Sequence, residues 1–170
     1  MVKQVWPAVH DWIWALYIIA PIYCTNGAPV LFGGGRPIDS GRYLADGERI
    51  FGDHKTVRGL VSGLLVGVVV GLFEAYFFSA ELFLLAVLAS LGALAGDLAG
   101  AFVKRRLRIK PGRPLPLVDQ LDFVVVAILF LLPAFNLSLA TILIVLVATP
   151  PVHVLTNLGA YALGLKRNYW

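Results

Sequence analysis

Apolar residues in this chain fall in long runs, not in alternating or narrow amphipathic patterns, and the runs define the elements. A helix needs about 20 apolar residues to cross a bilayer. Five runs approach or exceed that length, at residues 8–32, 60–78, 81–103, 119–135 and 137–158. Polar segments 33–59 and 104–118 separate the first run from the second and the third from the fourth. The pattern predicts an all-α polytopic membrane protein, with five transmembrane helices and two polar loops in a single domain over residues 1–170. Pro21, Gly27 and Pro29 predict an interruption late in the first run. Asn26 lies in it, either facing a wet cavity or capping a kinked helix. Pro133 marks the end of the fourth run, and Pro150-Pro151 predict a break in the fifth. His153 and Asn157, four apart, share a face after that break.

Glycine recurs every fourth residue at Gly63, Gly67 and Gly71, and again at Gly92, Gly96 and Gly100. Such faces allow close helix contact in lipid. They predict packing of these spans against each other or a neighbour, with a homodimer through one face as a second use. Glu74, toward the outer end of the second run, is expected to snorkel to the interface.

Composition agrees with the pattern. The 170 residues are 59% hydrophobic and 14% charged, with mean hydropathy +0.81. Soluble domains are nearer half apolar and a quarter charged. The one cysteine, Cys24, excludes an intramolecular disulfide framework. Lys3 and the first run resemble the start of a signal peptide, but no small-residue cleavage site follows, so no cleavable signal is expected. Net charge is only +4, yet its placement sets an orientation. The first loop holds five Lys or Arg, the connection from Lys104 to Arg113 holds six, and Lys166 and Arg167 follow the last run. The other side has only Lys3. The positive-inside rule puts both loops and the C-terminus in the cytoplasm and the N-terminus outside the cell membrane. Trp6, Trp12 and Trp14 form an aromatic anchor at the outer interface.

Topology or anionic lipid accounts for the cations but not for the carboxylates. Asp97 interrupts an apolar run, and an ionisable group there is a functional candidate by default. Lys104, seven residues on, lies nearly two turns along the same face. Asp119 and Asp122, three apart, share a face at the start of the fourth run. The short loop between brings the two helix ends together, so Asp97 and at least one of the later pair can share divalent cations. Oxygen ligands without His or Cys favour Mg²⁺ or Mn²⁺. Lys104, Arg105, Lys110, Lys55 and Arg58 are placed for phosphate charge. The first loop adds the glycines Gly33, Gly34 and Gly35, which allow close backbone approach to an anion. It also holds Arg36, Asp39, Arg42 and Asp53. Two metals beside an aligned nucleophile and leaving group suit phosphoryl or nucleotidyl transfer. A plain alternative is a salt bridge from Asp97 to an arginine with Asp119 capping a helix.

At these residues the sequence resembles the CDP-diacylglycerol synthase (phosphatidate cytidylyltransferase) superfamily. Lys104-Arg105, Lys110 and Asp119-Gln120-Leu121-Asp122 match its C-terminal signature, and Gly96-Asp97 matches the upstream acidic position. Ala101 stands where the signature has serine, and Pro111 where it has aspartate. The short length, the five runs and the loop PVLFGGGRPIDSGRYLADGERIFGDHKTVRG are similar to the archaeal branch, the CDP-archaeol synthases, over nearly the whole chain. The resemblance implies that CTP and di-geranylgeranylglyceryl phosphate react, with Mg²⁺, to a CDP-lipid and pyrophosphate. It implies that Asp97, Asp119 and Asp122 hold about two metal ions, with Lys104 beside them. Lys55, Arg58, Arg105 and Lys110 would neutralise phosphates. Asn26, Gly33, Gly34, Gly35, Arg36, Asp39, Arg42, Asp53, His153 and Asn157 would surround the substrates. No nucleic-acid partner is expected. A CDP-alcohol phosphotransferase, and a transporter using Asp97 as an ion site, are the competing readings.

Overall fold

The structure is a computed structural model, and it describes residues 7–109 and 113–166. Lys110 of the expected site lies outside the described residues, as do Lys3, Trp6, Pro111 and Arg167. Five helices and no strand occur among the described residues: α1 (Pro7–Phe32), α2 (Val57–Phe77), α3 (Glu81–Arg106), α4 (Val118–Leu131) and α5 (Leu139–Ala162).

Four of these helices are long and apolar enough to cross a membrane: α1 from Val9, α2, α3 and α5. The fifth expected span is shorter. α4 has 14 residues, a rise of about 21 Å, against about 30 Å of hydrocarbon. A turn at 132–134, which contains Pro133, follows α4. Pro133 has no amide with which to extend it. The chain still reaches the far end of the bundle, because Phe135 stacks 6.5 Å from Trp14, near the start of α1. The α4–α5 turn closes there too: Thr141 Oγ1 donates to Asp11 at 2.8 Å, and Tyr17 meets Phe78 at the end of α2, 5.2 Å between rings.

α1 is unbroken through Pro21 and Pro29, where the sequence predicts an interruption. Close packing accounts for this: Ile18, Pro21, Ile22 and Thr25 are fully buried, so the helix is held on both sides of Pro21. α5 is likewise continuous across Pro150-Pro151, and Tyr23 OH donates to the Thr149 carbonyl beside them at 3.1 Å.

The glycine faces build the bundle. The buried face of α2 is Gly59, Gly63, Gly67, Gly71 and Glu74. A Cβ at Gly63 or Gly67 would strike Thr25 of α1, and one at Gly71 would strike Ala86 of α3. The α3 glycines press on α4 instead: Gly92 on Ala127, Gly96 on Asp122 and Phe123, Gly100 on the Asp122 carboxylate. In lipid, association depends on such contact more than on apolar burial. Both faces are used within the chain, which removes them as dimer surfaces. The same register carries Glu74 inward to 5% exposure, in place of the expected interfacial position.

Candidate active site

A cavity of about 240 Å³ opens at one end of the bundle, lined by α1, the loop before α2, the end of α3, the start of α4, and α5 with the turn after it. Asn26, Asp53, Lys55, Asp97, Lys104, Arg105, Asp119, Asp122, His153 and Asn157, all expected from sequence, line it together.

Each is placed by a local feature. Thr56 caps α2, its Oγ1 accepting from the Gly59 amide at 3.1 Å. Lys55, just before it, reaches α3, with Nζ 2.6 Å from Asp97 Oδ1. Lys104 lies two turns beyond Asp97 and donates to both oxygens of Asp119, at 2.9 and 2.8 Å. Asp119 also accepts the Leu115 amide at 2.9 Å, closing the turn into α4. Asp122 fits its carboxylate against Gly100, where a side chain would displace it. Among the described residues it forms no ion pair. Arg105 is 8% exposed, and its Nε is buried without a hydrogen-bond partner.

The first loop is organised by a carboxylate that does not face the cavity. Asp39 accepts the amides of Gly41 (3.1 Å), Phe51 (3.0 Å) and Gly52 (3.0 Å). Arg49 pairs with it at 2.5 Å. Burial alone would raise the Asp39 pKa, but Arg49 and the three amides together hold it well below the usual carboxylate range. Asp39 raises the Arg49 pKa in return. Arg106 then ties the loop to α3 through Asp46 at 2.6 Å and the Glu48 carbonyl at 3.3 Å. This core sets the path of Gly52 to Lys55 along the cavity wall.

The other loop residues expected at the site are elsewhere. Gly34 and Gly35, at φ 96° and 81°, turn the chain out of α1. Gly33 continues the α1 pattern, its amide bonding Pro29 O at 2.9 Å. Arg36, Arg42 and Arg58 are exposed, and none of these six residues lines the main cavity.

Phe51, Gly52, His54, Ala101 and Lys166 line it without having been singled out for the site. Gly164 carries the signal for Lys166. Glycine just past a helix favours the left-handed reversal that caps it, and here φ is 72°. The Leu165 amide returns to Ala160 O at 2.9 Å. Lys166 Nζ thereby reaches Asn157 Oδ1 at 2.7 Å, and Asn157 Nδ2 lies 3.1 Å from a ring nitrogen of His153. Burial lowers the Lys166 pKa and Asp119, across the cavity, opposes it.

Four carboxylates and four Lys or Arg side chains thus line one chamber. No three His, Cys, Asp or Glu side chains among the described residues are gathered closely enough to hold a metal ion. The donor chemistry still fits a hard divalent cation: Asp97 and Asp119 offer carboxylate oxygens, each paired with a lysine ammonium.

A family model described as CarS-like, CDP-archaeol synthase, matches residues 9–170. A CDP-archaeol synthase of Thermococcus onnurineus is 46% identical over 165 residues, 93% of this chain and 96% of its own. Those of Thermococcus gammatolerans and Pyrococcus furiosus are 45% and 42% identical, over 96% and 95% of this chain and 99% and 100% of theirs. A solved structure described as "Structural insight into an intramembrane enzyme for archaeal membrane lipids biosynthesis" aligns with TM-score 0.79 and 38% identity, over 85% of this chain and 92% of that one.

Proposed function

The chain belongs to the CDP-archaeol synthase family, and from that premise we propose that it transfers CMP from CTP to the phosphate of di-geranylgeranylglyceryl phosphate. It is a membrane CTP-dependent cytidylyltransferase of archaeal lipid synthesis. The observation that supports the finer reading is the convergence of Asp97, Asp119 and Asp122 with Lys55, Lys104 and Arg105 on one cavity.

In this reading an oxygen of the lipid phosphate attacks the α-phosphorus of CTP. The bond from that phosphorus to the bridging oxygen breaks, and its electron pair leaves with pyrophosphate. Asp97, Asp119 and Asp122 would hold Mg²⁺, which when bound supplies charge neutralisation and alignment of the phosphates. Lys55 and Lys104 hold the carboxylates until substrate arrives and then turn to phosphate oxygens. Arg105, buried and unpaired, awaits an anion. With the lining charges balanced, a triphosphate is accommodated best together with its counter-cations.

The chain passes the membrane five times, with α4 and its following turn as the short pass. The cavity faces the cytoplasm and the N-terminus lies outside. The clustering of the loop cations at the cavity end favours this orientation.

The test is detergent-purified protein with CTP, Mg²⁺ and either the prenyl-ether glycerol phosphate or phosphatidic acid. CDP-lipid from the ether substrate, lost on chelation, is the expected result. Product from phosphatidic acid alone would overturn the acceptor. No product from a folded sample with either lipid would overturn the transferase reading.

A further inference from the structure

A second, smaller cavity of about 50 Å³ adjoins the first. Its lining is largely apolar, with Pro29, Ile38, Leu60, Leu94 and Leu98 among its walls. His54, Lys55 and Asp97 line both cavities, and the Lys55–Asp97 ion pair lies in the partition between a charged chamber and a largely apolar one. We propose that this apolar cavity is the docking site of the lipid acceptor's glycerol portion, and that Lys55 receives the acceptor phosphate through the partition. The inference rests on the cytidylyltransferase reading of the main cavity and assigns the side from which its lipid approaches.

Two observations carry it. The lining suits a glycerol backbone and disfavours a triphosphate, which would find one lysine, Lys55, beside the Asp97 carboxylate there. At about 50 Å³ the cavity takes a small group and no prenyl chain, so the chains remain in the bilayer. Val57 and Val61 on α2 are 48% and 47% exposed beside Leu60, giving such chains an apolar surface next to the pocket.

The second observation concerns cations. Arg36 and Arg58 are exposed and away from the main cavity; Arg36 lies two residues before the lining residue Ile38, and Arg58 directly before Gly59. The Val57 amide bonds the Arg36 carbonyl at 3.1 Å, which fixes the two segments side by side. Both cations thus stand on segments that wall the small cavity, where they favour an anionic headgroup.

The experiment measures KM for each substrate separately. Leu60→Phe, which fills the small cavity, is expected to raise KM for the ether-lipid phosphate about tenfold and leave KM for CTP within about twofold. Arg36→Gln/Arg58→Gln, at exposed positions that spare the fold, should raise the same lipid KM severalfold. A rise in KM for CTP instead, or no change in either, overturns the assignment. Calorimetric binding without CTP separates this inference from the transferase reading. Leu60→Phe should weaken binding of the lipid phosphate and leave binding of inorganic phosphate unchanged, whether or not wild type turns over. Equal loss of both, or loss of neither, overturns the pocket.

Discussion

Lys55 and Asp97 stand 42 residues apart in sequence and 2.6 Å apart in space. The pair joins the end of the first loop to the middle of α3. Its side chains keep 26% and 31% of their exposure, and such partly solvated pairs contribute about 1 kcal/mol or less. The contact is therefore cheap to exchange, which suits a carboxylate that releases its lysine to a phosphate.

Asp97→Asn should leave thermal unfolding within about 1 kcal/mol of wild type and reduce turnover at least about a hundredfold. Turnover and unfolding in the same detergent check both halves. Near-normal turnover would end the assignment of Asp97 to metal.

Arg105→Met should separate stability from function. A buried cation without a carboxylate costs desolvation, and an apolar replacement of similar length removes that cost. The unfolding temperature should hold or rise while the Kd for CTP increases at least about tenfold. A large loss of stability with normal CTP binding would show that Arg105 is a structural group.

The glycines should fall into two classes. Gly96→Ala drives a methyl into the backbone of Asp122 and Phe123, at a cost of about 1–3 kcal/mol. Gly27→Ala meets nothing within 4 Å and should be neutral or stabilising by up to about 1 kcal/mol through helix propensity. Gly100→Ala displaces the Asp122 carboxylate, so activity should fall more than stability. Heat unfolding and turnover of the three variants order them.

Asp39 should give the loop an acid-sensitive core. Its folded pKa lies below the ordinary value, which is about 3.9. The stabilisation is thus complete above about pH 4 and is lost as pH falls below it. Asp39→Asn should unfold earlier than wild type at pH 7, with the gap narrowing at pH 3. A gap of constant size across that range would count against the Arg49–Asp39 centre.

Much of the site is legible because it lies on helices. Asp97, Lys104 and Arg105 on α3, Asp119 and Asp122 on α4, and His153 and Asn157 on α5 are set by a fixed period from their apolar neighbours. The loop is different. Asp39, Arg42, Asp53 and Lys55 are all charged and follow no helical period, yet Asp53 and Lys55 line the cavity while Asp39 turns inward and Arg42 outward.

The sequence alone determined the five apolar segments, the two glycine seams and the carboxylates at one end of the bundle, because hydrophobic run length and helical period are local properties. Only the tertiary structure decided that α1 continues through its prolines and that Glu74 is enclosed. It also decided that Lys55 lies in the partition between two cavities. Those outcomes depend on which side chains meet across tens of residues, and no local pattern encodes a contact whose partners share no period.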